Sequence, residues 1–291
     1  MFNKKLFLAV SFSALVLSQP SNAVIGPIKI TLNPTELTSN YFNEVDTKAP
    51  FSSEVYTESD IKASKSKNVY DFLTQNTSLA LAPSSGNRFS QSISARGFGL
   101  TDGYQNIVIT LNGRRLNNID MTNSNLGSIN IDSIKKIEIT KGSGSVIYGD
   151  NATAGAIHII TKANKGFNTS TSFGNYGHQK RTVSYGASDD SYNINILIDR
   201  LDHGGYGSPD SIGNKDKGEQ SNANISLGFS LDNGTSLQFD RLNYKVNNKY
   251  PYSLSKTQFD LNPANDASSK ARTHKDANST TTGFKINYPL S

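Results

Sequence analysis

From Lys165 onwards, apolar and polar residues alternate with a strict period of two. In the clearest segment, residues 222–231, every odd position is apolar and every even position is Asn, Ser or Gly. This period is typical of half-buried antiparallel strands. It predicts six strands, near residues 167–176, 180–188, 191–200, 220–231, 235–246 and 277–288. In the fifth strand the phase slips between Phe239 and Leu242, which predicts either a bulge near Asp240-Arg241 or an exit from the apolar layer there.

Short and long connections alternate between these strands. Asp189-Asp190 and Asp232-Asn233-Gly234 are tight-turn sequences, whereas residues 201–219 and 247–276 are long and polar. A soluble β-sandwich also alternates along each strand. However, the polar sides here suit a watery lumen, and the sequence offers no second sheet to cover the apolar sides. The pattern therefore favours an antiparallel transmembrane β-barrel.

The preceding part, residues 51–165, mixes helix and strand signals and predicts an α+β unit. Ser59 and Asp60 are good helix caps, and residues 69–73 have helical spacing. Short β-rich runs follow at residues 107–111, 137–139 and 156–161. An Asn-Gly pair follows the first run and a Lys-Gly pair the second, and the third run closes the region. These features are typical of buried strands.

The first 23 residues predict a secretory signal peptide. Lys4 and Lys5 precede a twelve-residue apolar stretch, residues 6–17, and Ser21-Asn22-Ala23 supplies a cleavage site. A membrane anchor helix would need about 17 to 25 apolar residues. Residues 24–50 are polar and poorly periodic, which indicates a flexible arm that contains one strand-like piece.

Composition and motifs argue against an enzyme. The chain has no cysteine, so thiolate metal sites and Cys nucleophiles are excluded, and a net charge of +5 is too small and dispersed to indicate nucleic-acid binding. No phosphate-binding glycine loop is present, and the four histidines have no carboxylate at ligand spacing. We expect no catalytic residues, no metal site and no cofactor.

Five ordered motifs lie within residues 96–162. They are Arg96-Gly97, Leu-Asn-Gly-Arg-Arg-Leu at 111–116, Ile-Glu-Ile-Thr-Lys-Gly at 137–142, Val-Ile-Tyr-Gly at 146–149 and the run 151–162. In this order they resemble the plug domain of TonB-dependent outer-membrane receptors. The chain departs from the family pattern at a few positions: Asn112 for Asp, Lys141 for Arg, Ser143 for Pro, Ala154 for Gly and His158 for Asn.

The resemblance implies a plug that occludes a barrel and is held there by charged and glycine contacts. Charge-assisted pairs suit such contacts, and glycine permits crowded or left-handed backbone. For each of these charged residues, the alternative is that it lies on a solvated surface and does not contact the barrel. The expected plug–barrel contacts are Arg96, Gly97, Arg114, Arg115, Glu138, Lys141, Gly142 and Gly149.

The resemblance also implies a partner, TonB, which adds a strand to an exposed segment near the mature N-terminus. The best candidate is Ile28-Lys29-Ile30-Thr31-Leu32-Asn33, which ends just before a proline that cannot extend a strand ladder. The alternative interpretation is an ordered edge strand of the plug. The other expected partners are outer-membrane lipid and a small-molecule ligand.

That ligand would be a scarce metal chelate or cofactor, bound by the apical loops of the plug and by the external loops 201–219 and 247–276. The sequence around Gln258-Phe259 and Asn262-Pro263 looks like loops of iron-complex receptors, which favours a ferric siderophore-like chelate over cobalamin. The candidate ligand contacts are Asn87, Arg88, Phe89, Gln91, Tyr104, Asn118 and Met121.

Six strands are too few for a closed barrel, because the smallest single-chain barrels have about eight and plugged transporters about 22. We therefore expect the chain to be the N-terminal part of an importer located in the bacterial outer membrane. Two alternatives remain. One is a periplasmic plug-only protein that binds without transport, and the other is a secreted hydrolase.

Overall fold

The computed structural model describes residues 52–84, 87–98, 106–118, 124, 126–142, 149–162, 165–250, 253–265, 272 and 274–289. The expected signal peptide, the flexible arm and the candidate TonB segment 28–33 lie outside these residues. Within the described part of the chain, no helix is both long and apolar enough to cross a membrane.

Residues 52–161 form an α+β unit around a five-stranded sheet. The strand order is β1-β6-β7-β4-β5; β4 pairs with β7 in parallel, and the other pairs are antiparallel. A separate hairpin, β2-β3, and two helices complete the unit. The bounds are β1 Ser52–Thr57, α1 Glu58–Ser64, α2 Val69–Asn76, β2 Ala80–Ser84, β3 Asn87–Ser94, β4 Ile107–Leu111, β5 Arg114–Arg115, β6 Ile134–Lys141 and β7 Gly155–Thr161.

Local capping fixes where both helices begin. Thr57 is the N-cap of α1, and Asp60 completes a capping box with it, so Asp60 lies inside the first turn. The prediction of a cap at Ser59 or Asp60 was therefore wrong by two to three positions. Asn68 caps α2 by accepting from the amide of Asp71 at 2.9 Å.

The core of this unit lies between one face of the five-stranded sheet and the two helices. Tyr56 of β1 packs edge-on against Phe72 of α2, with ring centroids 5.2 Å apart. The largest fully buried apolar side chains are Tyr70, Phe72, Leu73, Ile107, Leu126, Ile134, Ile137, Ile139, Ile157 and Ile159. Ile137 and Ile139 of β6, and Ile157 and Ile159 of β7, occupy alternate positions, which places each pair on one face of the sheet. Ile134 precedes a register shift in β6.

The remaining strands form one antiparallel sheet in sequential order, β8 to β13. All six predicted strands are present, and the sheet is open, because β8 pairs only with β9 and β13 only with β12 among the described residues. The bounds are β8 Gly166–Gly174, β9 His178–Ser188, β10 Tyr192–His203, β11 Gly218–Ser230, β12 Ser236–Lys249 and β13 His274–Asn287, with a short helix α3, Lys256–Leu261, between the last two strands.

The predicted bulge near Asp240-Arg241 is absent. β12 pairs with β11 from Ser236 to Asn248 and with β13 from Ser236 to Lys249 without a shift in register. The apolar phase changes because Leu242 packs against the core of the α+β unit. The alternative interpretation was correct: beyond Phe239 the apolar residues of this strand change sides.

The two faces of the six-stranded sheet differ in character. The inner face, which meets the α+β unit, is mostly polar and includes the buried residues Thr182, Asp199 and Asn222. The outer face carries exposed apolar side chains, among them Phe167, Val183, Tyr185, Ile198, Phe229, Phe284 and Ile286. Exposed apolar patches of this kind mark surfaces that contact another protein or lipid.

Candidate functional site at the interface between the two sheets

The α+β unit contacts the inner face through residues 126–133, here called the docking segment. It contains two short 3-10 turns, Leu126–Ser128 and Ile131–Ser133. The Tyr70 hydroxyl donates to the Ser124 carbonyl at 2.9 Å and accepts from the Leu126 amide at 3.2 Å. Burial raises the pKa of Tyr70 to about 12, so the hydroxyl keeps its proton. These bonds fix the start of the docking segment to α2.

Three side-chain amides of β11 donate to the backbone of the docking segment. Gln220 and Asn222 both donate to the carbonyl oxygen of Gly127, the latter at 3.2 Å. Asn224 donates to the carbonyl oxygen of Ser128 at 3.4 Å. The three donors alternate along one strand, so they project from the same face and form a ladder of amides.

Asn130 joins the docking segment to β9. Its Oδ1 accepts from the Asp132 amide at 2.9 Å, which caps the second 3-10 turn. Its Nδ2 donates to Thr182 Oγ1 at 3.3 Å, and Lys180 Nζ donates to its Oδ1 at 3.4 Å. The cap and the contact with the sheet therefore depend on one buried side chain.

Charged groups lie beside this amide ladder. Asp199 of β10 is 3% exposed, and both of its carboxylate oxygens accept from Asn222 Nδ2, at 3.2 and 3.0 Å. Lys180 Nζ lies 3.8 Å from Asp132 of the docking segment. A buried carboxylate is costly unless it is hydrogen-bonded, and Asn222 meets that need from within the sheet.

The interface is therefore held mainly by neutral hydrogen bonds. Each contributes only about 0.5 to 1.5 kcal/mol net, because water replaces it when the surfaces part. Apolar contacts include Leu242, which packs on the core of the α+β unit. The hydrogen bonds set the register between the docking segment and the sheet.

Of the predicted plug–barrel contacts, Arg114 lies against the six-stranded sheet. Its Nη1 would be 3.1 Å from a Cβ added to Gly283 of β13, so glycine at that position makes room for the guanidinium. Arg115 instead pairs with Asp150 at 2.7 Å, inside the α+β unit. The Arg115 guanidinium holds the pKa of Asp150 below its usual range.

The other predicted contacts interact within the α+β unit. Lys141 pairs with Glu54, which joins β6 to β1. Burial disfavours ionisation of Glu54, but bonds from Lys141 and Ser78 outweigh it and hold its pKa below the usual range. Arg96 Nη1 lies 3.3 Å from the position of a Cβ on Gly142. Gly97, Gly142 and Gly149 all have positive φ. The role of these residues at the barrel wall stays a prediction.

Glu138, also a predicted contact, is fully buried. Lys136 Nζ lies 2.6 Å from its carboxylate, and in the sheet Glu138 is directly opposite His158. His158 Nδ1 is 2.7 Å from Thr110 Oγ1, and burial lowers the pKa of His158 to about 4. The described residues contain no cluster of three or more metal-binding side chains.

The predicted ligand contacts are only partly described. Tyr104 and Met121 lie outside the described residues, and of Asn87, Arg88 and Phe89 only the backbone is described, within β3. Gln91 is half-buried in the same strand, and Asn118 is exposed after β5.

The two long loops, between β10 and β11 and between β12 and β13, line an open cavity of about 540 Å³. Its lining comes from both loops and combines apolar with charged side chains, among them Tyr206, Asp216, Leu254, Lys256, Phe259 and Asp260, and Lys256 pairs with Asp260 at 2.7 Å. The loops are also joined by Asp210, whose carboxylate accepts from the backbone amides of Arg272 and Asn214, both at 2.7 Å. These loops therefore form one structural unit with a concave surface.

Apart from Arg114, the residues that form the interface were not among the predicted contacts. The sequence signal was the run of Asn, Ser and Gly on one side of each strand, which indicated a polar face but not its partner. Gly127 and Ser128 gave no signal, because they take part through backbone carbonyls.

Comparison with known proteins identifies the α+β unit. Residues 46–156 match the family model of the TonB-dependent receptor plug domain. The vitamin B12 transporter BtuB of Vibrio vulnificus (strain CMCP6) is 26% identical over 129 residues, which are 44% of this chain and 20% of that protein.

Solved structures match the fold of both parts. The ferric yersiniabactin uptake receptor FyuA of Yersinia pestis has a TM-score of 0.67 at 15% identity, over 81% of this chain and 38% of FyuA. The ferric-catecholate import receptor Fiu of E. coli K12, in its open form, has a TM-score of 0.61 at 18% identity, over 85% of this chain and 37% of Fiu. The chain thus spans about a fifth of the curated relative and just over a third of these structures.

Proposed function

This chain belongs to the TonB-dependent receptor family, and from that premise we propose that it serves energy-coupled uptake of a metal chelate across the bacterial outer membrane. The relatives are transporters and receptors rather than enzymes. The proposal excludes a hydrolase role for the serines and histidines of the chain.

One observation carries the proposal: the plug domain is docked by hydrogen bonds onto the polar inner face of a sheet whose outer face is apolar and exposed. A polar inner face suits a water-filled pore, and an apolar outer face suits lipid. The bonds from Asn222 and Asn130 keep the plug in register with the wall. Because they are weak and exchangeable with water, force on the plug would move it without unfolding the wall.

For the ligand we propose a ferric chelate. The cavity between the external loops offers Tyr206 and Phe259 as aromatic contacts, while Lys256 in its lining already pairs with Asp260 at 2.7 Å. Such a set suits a metal chelate with an organic ligand, because aromatic faces cover its apolar parts. FyuA is a ferric yersiniabactin uptake receptor and Fiu a ferric-catecholate import receptor, whereas BtuB is a vitamin B12 transporter. Cobalamin is therefore the second ligand to test.

For the partner we propose TonB, which would pair with residues 28–33 by strand addition. The segment alternates Ile28, Ile30 and Leu32 with polar residues, so one side of the added strand would be apolar. We place the mature protein in the outer membrane, after removal of residues 1–23.

The test is uptake by cells that carry the native gene and lack other ferric receptors, with and without a functional TonB. The probes are iron-55 complexed by a catecholate chelator and cobalt-57 cobalamin. We expect TonB-dependent accumulation of iron. Ile30→Pro should abolish it, because proline removes a backbone donor from the added strand, whereas Ser39→Pro in the same arm should not.

Iron accumulation that is equal with and without TonB would contradict the coupling. Cobalt accumulation alone would replace the ferric chelate by cobalamin. Binding of either probe without accumulation, together with recovery of the protein from the soluble periplasm, would favour the alternative of a plug that binds but does not transport.

A further inference from the structure

An arginine follows the last apolar residue of the outer face on three strands. On β9 the last outward apolar residue towards the external loops is Val183, and Arg181 is the next outward position. On β10 Ile198 is followed by Arg200. These side chains point outward and are exposed: the exposed fraction is more than 40% for Val183, Ile198 and Arg200.

The third case is on β12, where Arg241 follows Phe239 and is exposed. Arg181 and Arg200 are directly opposite each other, but Arg241 is opposite Ile225, which is opposite Ile196, in the middle of the apolar face. Counted along the paired strands, Arg241 thus lies four residues further from the external loops than Arg181 and Arg200 do.

The tilt of barrel strands explains this offset. From β9 to β13 the apolar edge retreats by four residues, from the level of Val183 and Ile198 to that of Phe239 and Phe284. Four residues rise about 13 Å and four strand spacings span about 19 Å, so the edge slopes at about 35°, as strands tilted by 35–45° require. Across β9 to β13 a level membrane surface would therefore pass just below all three arginines, whereas Phe173 of β8, opposite Gln179, lies beyond it towards the loops.

The arginines differ in how their charge is balanced. Arg200 binds Asp202 at 3.0 Å and Glu219 at 2.6 Å, both on the side of the external loops. Arg181 donates to the neutral Gln179 Oε1 at 2.6 Å. Among the described residues, neither Arg181 nor Arg241 has a carboxylate within 4 Å, so two cations next to the apolar face are uncompensated.

The opposite ends of the strands are different. The two tight turns there, residues 189–191 and 232–234, contain Asp189, Asp190 and Asp232 and no Lys or Arg. The last outward residues include Tyr192 and Ile286. The outward arginines are thus confined to the end that carries the long loops.

We propose that Arg181 and Arg241, with Arg200 between them, bind the phosphate groups of lipids in the external leaflet. A guanidinium offers two parallel donors to a phosphate, and these two side chains lie at the depth where headgroups begin. The acidic partners of Arg200 already neutralise it, so it contributes less. This inference rests on the membrane location in the proposed function.

The test uses the native protein purified from outer membranes in detergent. Its thermal unfolding midpoint is titrated with intact lipopolysaccharide, with dephosphorylated lipopolysaccharide and with inorganic phosphate. The variants are Arg181→Gln/Arg241→Gln, Arg200→Gln, and the matched control Lys135→Gln/Lys165→Gln, which removes two exposed cations elsewhere. Each basic residue near a membrane surface raises the affinity about fivefold. Arg181→Gln/Arg241→Gln should therefore weaken the apparent affinity for intact lipopolysaccharide roughly thirtyfold.

We expect the Lys control to bind like the unmodified protein and Arg200→Gln to lose less than the double arginine variant. The inference is overturned if the double arginine variant binds normally, if the Lys control loses as much, or if inorganic phosphate stabilises as well as the intact lipid. These results would leave the proposed function standing, provided the protein is found in the outer-membrane fraction. Its absence from that fraction would overturn both.

Discussion

Asn222 Nδ2 donates to the backbone carbonyl oxygen of Gly127 at 3.2 Å and thereby joins the wall sheet to the plug. The same nitrogen lies 3.0 and 3.2 Å from the two carboxylate oxygens of Asp199. One amide therefore serves the plug contact and also solvates a buried acid. Because both roles need a donor, the position cannot hold an acceptor without loss of the interface.

The first prediction concerns this residue. Asp199 is already buried, so Asn222→Asp would create two carboxylates that repel each other or share one proton. In either case the amide that donates to both Gly127 and Asp199 is lost. We expect hydrogen exchange of the Ile129 and Ser133 amides, which bond inside the docking segment, to become at least tenfold faster, or about 1.4 kcal/mol. Ser221→Asp, on the outer face of the same strand, is the control. Equal protection in both variants would show that the amide ladder does not hold the plug.

The second prediction concerns Gly155, which begins β7. Its φ is +143°, and an added Cβ would lie 2.0 Å from the Thr140 carbonyl oxygen of the paired strand. Gly155→Ala should therefore destabilise the plug by at least about 3 kcal/mol, since backbone must move. Gly113→Ala has a φ of +81° and open space, and should cost only about 1 to 2 kcal/mol. Denaturant unfolding of both variants measures the difference, and similar losses would refute the steric argument.

The third prediction is a pH dependence from His158. Burial lowers its pKa from 6.5 to about 4, so below pH 6.5 the unfolded chain takes up the proton first. Stability from this group is complete above pH 6.5 and falls by about 3 kcal/mol as the pH drops to 4.

His158→Asn should remove this slope, because an amide can still bond to Thr110 but does not titrate. The exposed His274→Asn should retain it. Unfolding midpoints of the three proteins between pH 4 and 7 provide the measurement. If His158→Asn follows the unmodified protein across this range, His158 takes up its proton at the same pH in the folded and the unfolded chain, and burial does not lower its pKa.

The fourth prediction concerns the joined external loops. Backbone amides of Arg272, Asn214 and Ile212 outweigh the effect of burial and lower the pKa of Asp210 to about 2, so its carboxylate stays ionised at neutral pH. Asp210→Ala removes the acceptor for these amides and should separate the loops. We expect faster hydrogen exchange in residues 204–217 and weaker binding of the ferric chelate. Asp232→Ala in the opposite turn is the control, and unchanged binding with separated loops would exclude the cavity as the ligand site.

The sequence by itself determined the class of the fold. A period of two along residues 222–231 needs only local geometry, since successive side chains in a strand point to opposite faces. The signals for β4 and β7 were likewise local. The family motifs were readable because glycine and charged residues at fixed spacing are rare by chance.

Only the tertiary structure decided which residues meet. The sequence left open whether the phase slip before Leu242 is a bulge or an exit from the apolar layer, and only the contact of Leu242 with the plug core decided it. Gly127 acts through its carbonyl oxygen, which no side-chain pattern encodes. Periodicity assigns each side chain to a face, whereas the partner across that face is set by contacts between residues about 95 positions apart, as between Gly127 and Asn222.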